Sequence, residues 1–198
     1  FRIAEIPDQV YTGKAIEPEI SVSLAVGETE IPLQPTQYEV TYENNINAGT
    51  ATAIVKGTGN FGGEKRVNFT IMPKSIGNEE GMDADMLLAD LEDQLYTGKG
   101  VTPDVVLSCR RLAQREAEDV DALLVLNQDY TLSYADNVAV GMASITITGI
   151  GNYTGSIQSQ FKILGPMNLA DVAKIPVQPD TGNPATPKPV ITYAGKLL

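Results

Sequence analysis

The chain has 198 residues, with 25 acidic and 14 basic side chains and a formal net charge of −11 at pH 7. This negative field excludes nucleic acid and anionic membrane surfaces as expected partners, because both are negatively charged themselves. The chain has no histidine and a single cysteine, which excludes Ser-His-Asp and Cys-His catalytic sets, histidine-ligated zinc and an internal disulfide.

The first part of the chain, residues 1–73, carries the alternating pattern of half-buried β-strands. Apolar side chains occupy every second position along residues 20–24, 38–42, 51–55 and 67–71. Successive side chains of a strand point to opposite faces, so the pattern predicts short strands with one buried face. Gly, Asn and Pro turns separate these strands, and we therefore expect an antiparallel β-sandwich.

A second part, residues 86–164, repeats the first after a short polar junction at residues 74–85. We call the two parts the first and the second repeat. A motif that recurs in each repeat is expected to serve the fold of that repeat rather than a unique active site. The repeated motif consists of Tyr11, Gly13, Lys14, Gly57, Gly59 and Asn60, and of Tyr96, Gly98, Lys99, Gly149, Gly151 and Asn152.

The strand positions that are predicted to face the core also include the single cysteine and several tyrosines. Cys109 stands in the second repeat where Leu24 stands in the first, so we expect a packed thiol. Tyr42 and Tyr134 share the inward register, and we expect them in the core rather than on a sugar-stacking face.

The repeats differ most in an insertion between Pro103 and Tyr130 of the second repeat. The charged string from Ala113 to Asp119 fits this insertion, as an enlarged hairpin loop or a single helical turn. Because loops carry the variable part of a scaffold, this loop is a candidate binding surface. Its candidate contact residues are Arg115, Glu116, Glu118 and Asp119.

The last part, residues 165–198, combines a proline-rich linker with a restatement of the Tyr-Thr-Gly-Lys motif at residues 191–196. Proline-rich linkers are stiffened toward extended structure and resist packing. We interpret this part as the truncated start of a third repeat, too short to fold alone. Because the chain also opens with Phe1, we expect a piece of a longer protein. We expect a monomer, with strand exchange through this C-terminal part as the alternative.

These features predict an all-β fold of two tandem antiparallel sandwich modules plus the truncated start of a third. The strings at residues 11–14, 49–52 and 149–155 resemble those of immunoglobulin-like tandem repeats in secreted or wall-attached bacterial surface proteins. The resemblance covers nearly all of residues 1–164 and implies an Ig-like stalk, spacer or adhesion module outside the cell. It implies no catalytic residue, metal or cofactor, and its partner would be an extracellular protein or a glycan.

Two strings spell enzymatic motifs, but their context argues against them. Residues 57–62 match the dinucleotide-binding string Gly-x-Gly-x-x-Gly, which needs a helix after the glycines, whereas residues 65–71 have a strand pattern. Asp180, Thr181 and Gly182 spell the aspartic-protease signature, but such an enzyme needs two aspartates across a rigid interface. We interpret the first string as a hairpin and the second as linker.

Four alternatives to a plain stalk stay open. One is a carbohydrate- or host-protein-binding module that uses the loop at residues 113–119. The others are a lysine–asparagine isopeptide bond at Lys14 or Lys99, a calcium site at residues 43–45, and a hydrolase with paired carboxylates. A simpler interpretation of these lysines and acidic residues is that they are ordinary solvent-exposed surface residues.

Overall fold

The structure is a computed structural model that describes residues 1–110, 122–166, 171–180, 182, 184–193 and 195–197. These residues form an all-β protein of several small sheets, which confirms the fold class that the alternating pattern predicts. A short 3-10 helix lies at Pro35–Gln37, and the described residues contain no α-helix.

The strands fall into two sets along the chain. The first set is β1 (Arg2–Ile3), β2 (Gln9–Val10), β3 (Val22–Val26), β4 (Thr29–Pro32), β5 (Tyr38–Glu43), β6 (Gly49–Gly57), β7 (Glu64–Met72), β8 (Lys74–Ser75), β9 (Gly77–Asn78) and β10 (Gly81–Met82). The second set is β11 (Met86–Leu88), β12 (Gln94–Leu95), β13 (Leu107–Cys109), β14 (Ala122–Leu123), β15 (Tyr130–Ala135), β16 (Gly141–Gly149), β17 (Tyr153–Thr154), β18 (Ser156–Leu164), β19 (Asp171–Val172), β20 (Ile191–Tyr193) and β21 (Lys196–Leu197).

The long strands of the first repeat form a four-stranded sheet in the order β2-β7-β6-β5. β5, β6 and β7 pair antiparallel, while β2 runs parallel to β7. In β5 every second residue is exposed, and Tyr38, Val40 and Tyr42 are partly buried between them. The predicted alternation is therefore confirmed for this strand.

A second sheet, β1-β3-β4, contributes to the same core. Val22 of β3 and Val55 of β6 are both nearly inaccessible to solvent. Two sheets that contribute side chains to one core are consistent with the β-sandwich class. The buried members of this core are Ile6, Ile16, Ile20, Val22, Ala51, Ala53, Val55, Phe69 and Ile71.

The strands of the second repeat form another four-stranded sheet, in the order β12-β18-β16-β15. β12 runs parallel to β18, with Gln94 opposite Ile163, just as Gln9 lies opposite Ile71 in the first repeat. The strands β11, β13 and β14 form a further sheet, in the order β11-β13-β14. All three residues of β13 are buried, including Ser108, so this strand departs from the alternation that its sequence predicts because neither face is open to solvent.

The described chain divides into two compact units whose boundaries do not follow the repeats. The first unit contains Phe1–Leu87, Leu107–Leu132 and Ile147–Ile157, and the second contains Leu88–Val106, Ser133–Thr146 and Gln158–Leu198. The second unit has its own buried cluster, which consists of Val101, Ala143, Phe161 and Ile163. The repeat boundaries read from the sequence describe the two matching stretches and stay a prediction.

The junction at residues 74–85 contains three of the two-residue strands and lies within the first unit. β9 pairs antiparallel with β10, and β8 pairs parallel with β17. Ile76, between β8 and β9, has an exposed fraction of 0%. This stretch is therefore packed and hydrogen-bonded within the first unit.

The C-terminal part forms a three-stranded sheet, β19-β20-β21, in the second unit. Asp171 lies opposite Thr192, and Thr192 lies opposite Leu197. Residues 173–180 between the strands are exposed. The part that the sequence indicates as the start of a third repeat thus pairs its short strands with one another.

Candidate functional site

The Tyr-Thr-Gly-Lys motif forms the same turn at residues 11–14 and 96–99. In each turn the lysine N–H donates to the threonine Oγ1 at 3.3 Å. The two glycines, Gly13 and Gly98, both have a φ of 76°, which residues with a Cβ rarely adopt. Both lysine side chains are exposed. The motif therefore shapes the backbone that follows β2 and β12.

The Gly-x-Gly-Asn motif forms matching hairpins at residues 57–63 and 149–155. In each hairpin the first glycine donates its N–H to the carbonyl of the last glycine at 3.0 Å. The aromatic residue donates its N–H to the carbonyl three positions earlier, at 3.1 Å in both hairpins. Gly59 and Gly151 have φ values of 63° and 65°. A strand follows each hairpin, which confirms the hairpin interpretation of the glycine string.

Asn152, in the second hairpin, is held by residues of the first repeat and of the junction, all within the first unit. Its Oδ1 accepts a hydrogen bond from the Ala48 N–H at 2.8 Å, and its Nδ2 donates to Oδ1 of Asn47 at 3.1 Å. Its backbone carbonyl accepts from the Lys74 N–H at 2.9 Å. The side chain of a motif residue therefore binds a loop more than a hundred positions earlier in the chain.

The neighbouring Tyr153 extends this contact. Its ring packs edge-on against Tyr11, with 5.6 Å between the ring centroids. Edge-to-face pairs at such distances stabilise packing beyond the area that they bury. The Ile76 N–H donates to the Thr154 carbonyl at 2.8 Å, which continues the β8–β17 ladder. We call this set of contacts around Asn152 and Tyr153 the hairpin joint.

The matching asparagine of the first hairpin has different surroundings. Asn60 is exposed, and the Phe61 that follows it is partly buried. Asn152 is partly buried and Tyr153 is buried. The same four-residue string therefore lies at a contact in one repeat and faces solvent in the other.

Two tyrosines anchor equivalent loops in the two repeats. The Tyr42 hydroxyl donates to the Pro18 carbonyl, and the Tyr134 hydroxyl donates to the Pro103 carbonyl at 3.1 Å. Each ring packs edge-on against a core phenylalanine, with centroids 6.3 and 6.4 Å apart. These rings lie against the cores, where the inward register predicts them.

Burial raises the pKa of Tyr42 above its ordinary value of 10.0, and the negative charges of Glu17 and Tyr38 raise it further. Burial also raises the pKa of Tyr130, with a contribution from Asp129. The fold therefore favours the protonated phenols. This stabilisation is fully present below the unfolded-state pKa and is lost as the pH rises through the folded-state value.

An asparagine also fastens equivalent loops. Asn45 Nδ2 donates to the Ile16 carbonyl at 3.0 Å, and Asn137 Nδ2 donates to the Val101 carbonyl at 2.9 Å. In both cases the return bond from the backbone N–H measures 2.8 Å. The side-chain amides of Asn45 and Asn137 are thus engaged by the backbone and hold equivalent loops in the two repeats, and the calcium alternative at residues 43–45 stays untested.

A cavity of about 40 Å³ lies beside the hairpin joint. It has room for a water molecule rather than a ligand. Cys109 on its wall is 7% exposed, which confirms the predicted packed position. The cavity is lined by Tyr11, Thr12, Gly13, Lys74, Cys109, Ala122 and Tyr153.

Lys74, on the wall of this cavity, forms an ion pair with Asp85, with 2.8 Å between Nζ and Oδ2. Burial acts to lower the pKa of Lys74, but the hydrogen bond to Asp85 and the charges of Cys109, Asp85 and Asp83 raise it above its ordinary value. The charged form of Lys74 is therefore the form that the fold stabilises.

The candidate binding loop, with Arg115, Glu116, Glu118 and Asp119, lies outside the described residues and stays a prediction. Among the residues that the structure describes, no three His, Cys, Asp or Glu side chains converge as metal ligands would. The described part of the chain also has no helix with the length and hydropathy needed to cross a bilayer.

Comparison with protein-family models, with curated proteins and with solved structures found no match to this chain. Fold and geometry define it as an all-β protein of several sheets. Equivalent residues of the two repeats form turns, hairpins and loop anchors with matching distances.

Proposed function

We propose that this chain is a non-enzymatic segment of a bacterial extracellular or cell-surface protein, built from tandem immunoglobulin-like sandwich modules. It serves there as a stalk, a spacer or an adhesion module. The observation that carries the proposal is that equivalent residues make equivalent backbone contacts in both repeats. Motif residues with a structural role in every repeat are typical of modular arrays, in which each unit is built by the same local rules.

The equivalence extends over four independent features. It includes the lysine–threonine turn, the glycine hairpin, the tyrosine hydroxyl bond to a proline carbonyl and the bond from an asparagine Nδ2 to a loop carbonyl. Each of these hydrogen bonds contributes about 1 kcal/mol to stability and fixes one loop. Side chains engaged in this way stabilise the fold.

A spacer is stiffer when its junction is packed, and the contacts of the hairpin joint pack this junction within the first unit. Lys74 and Ile76 of the junction donate backbone N–H groups to the second hairpin at 2.9 and 2.8 Å. The Lys74–Asp85 ion pair fastens the same stretch, with side-chain exposures of 22% and 25%. A junction that is hydrogen-bonded at both ends suits a stiff segment better than a flexible tether.

The proposal is tested by locating the segment in the cell that makes the full protein. Intact cells are treated with a protease of broad specificity, and the segment is followed with an antibody raised against this chain. We expect the signal to disappear while a cytosolic marker survives. Survival of the signal until the cells are lysed would contradict an extracellular location.

A further inference from the structure

The sheet β19-β20-β21, which we call the C-terminal sheet, has the strand order of β1-β3-β4 in the first repeat. Each paired residue of β19 and β20 stands 169 positions after its counterpart in β1 and β3. The matched pairs are Arg2–Ser23 with Asp171–Thr192, and Ile3–Val22 with Val172–Ile191. The next bond is also equivalent, because Ala4 and Ala173 donate N–H groups to the neighbouring strand at 3.0 and 2.9 Å. The C-terminal sheet therefore corresponds to one of the two sheets of the first repeat.

The same register locates a third copy of the motif turn. Gly182 stands 169 positions after Gly13, and their φ values are 73° and 76°. Gln178 and Gln9 each donate from Nε2 to the carbonyl two positions earlier, both at 2.8 Å. The string at residues 193–196, which resembles the motif in sequence, instead connects β20 to β21. The correspondence therefore extends along the chain from β19 to β20.

The two sheets differ in how their apolar side chains are covered. Ile6 and Val22 are 7% and 4% exposed in the core to which the four-stranded sheet of the first repeat also contributes. Of their counterparts, Ile175 is 44% exposed and Ile191 is partly buried. The described residues of the C-terminal part form three short strands and no four-stranded sheet. Side chains at core positions are therefore left open on this sheet.

The stretch before β20 presents the backbone groups that the four-stranded sheets bind in the two repeats. Those bonds are Asn45 to the Ile16 carbonyl, Tyr42 to Pro18, Asn137 to Val101 and Tyr134 to Pro103. Ala185 and Pro187 stand at the corresponding positions and are exposed. A proline has no N–H but keeps its carbonyl, so Pro187 can accept this bond. The return bond to the asparagine comes from a backbone N–H, which Ala185 has.

The side chains that bind this stretch have the same spacing in both repeats. They are Tyr38, Tyr42 and Asn45 in the first repeat, and Tyr130, Tyr134 and Asn137 in the second. The Tyr38 hydroxyl donates to the Ile20 carbonyl at 2.9 Å, and Pro189 stands at the corresponding position of the C-terminal part. A partner of the same kind is therefore a strand with the pattern Tyr-x-x-x-Tyr-x-x-Asn.

We propose that the uncovered face of the C-terminal sheet binds a β-sheet segment of the full-length protein that carries this pattern. The proposal rests on the proposed modular function and names the partner that completes a third sandwich. The second tyrosine of the segment binds the Pro187 carbonyl, and its asparagine binds Ala185. Short strands gain stability when another layer covers their apolar face, which favours this association.

The surface is tested on the complete chain, extended after Leu198 by a second copy of residues 34–73 or, separately, of residues 126–164. Exchange of the Ala173 N–H is followed by ¹⁵N NMR in deuterated water, with the Ala4 N–H as internal reference. We expect exchange of Ala173 to slow at least about tenfold relative to the unextended chain, because a covered sheet opens less often. Unchanged exchange with both extensions would overturn the proposal.

A pair of variants tests the face of the C-terminal sheet. Ile175→Glu places a charge at the position of Ile6 and should abolish the slowing. Val177→Glu is the matched control, because Val177 is 96% exposed and stands at the position of the exposed Asp8. It should preserve the slowing. Slowing that survives Ile175→Glu would show that the added segment does not cover this face.

Variants of the added copy of residues 34–73 test the two carbonyl contacts. Tyr42→Phe combined with Asn45→Ala in that copy should remove most of the slowing, whereas Thr41→Ala, at an exposed strand position, should preserve it. Equal slowing in both would refute the proposed contacts at Ala185 and Pro187. Each of these failures leaves the extracellular location, measured separately on cells, untouched.

Discussion

Replacing Gly155 with alanine is expected to remove about 3 kcal/mol or more from the free energy of unfolding of the first unit, because overpacking and a left-handed conformation add their costs. An alanine Cβ at this position would lie 2.2 Å from the carbonyl oxygen of Gly77, and the φ of Gly155 is +85°. The obstacle is backbone, which cannot rotate away. Relief therefore requires β8 and β17 to separate, with loss of their ladder.

Two control substitutions isolate the steric part of this effect. Gly63 has a φ of +93°, and an alanine Cβ there would have no atom within 4 Å, so Gly63→Ala reports the conformational cost alone. Gly62 has open space as well and no positive φ, so Gly62→Ala should be nearly neutral. Urea denaturation followed by circular dichroism measures all three. Equal losses for Gly155→Ala and Gly63→Ala would show that Gly155 and Gly77 do not approach each other as described.

Replacing Ile76 with alanine is expected to cost about 2–5 kcal/mol, the range found when a fully buried large aliphatic side chain is truncated and leaves a cavity. Ile76 is 0% exposed although it lies in the junction. Its N–H also bonds to the second hairpin, so the side chain lies at the point where the junction packs. The same denaturation measurement reports the loss.

Ile46→Ala is the matched control, because the same side chain there is 50% exposed and lies in a loop of the same unit. It should change stability by less than about 0.5 kcal/mol, as surface substitutions usually do. If Ile76→Ala were as mild as Ile46→Ala, residues 74–85 would be an unpacked linker and the hairpin joint would lose its support.

The long strands could be predicted from the sequence because each contains a stretch with a period-two pattern. β5 follows that pattern over its whole length, and β6 follows it from Ala51 to Val55. The parallel pairs β2–β7 and β8–β17 could not be predicted, because a two-residue strand is too short to show a period. The same alternation predicts that Ser108 faces solvent, yet both faces of its strand are covered.

The hairpin joint also could not be predicted from the sequence. Asn60 and Asn152 stand in the same local string, so the string predicts the same hairpin for both, and both form it. Their difference depends on what lies beside each hairpin in space. Asn152 meets Asn47 and Ala48, which are over a hundred positions away. No local pattern carries that information.

Paired tyrosine substitutions test most directly whether the repeated residues serve the fold. Tyr42→Phe and Tyr134→Phe each remove a hydroxyl that bonds to a proline carbonyl. We expect each to lower the free energy of unfolding by about 1 kcal/mol at neutral pH. The deficit of Tyr42→Phe should then shrink above pH 10.0, the ordinary pKa of the group, as wild-type Tyr42 is forced to ionise. Unchanged stability of both variants at neutral pH would contradict a structural role for these equivalent tyrosines.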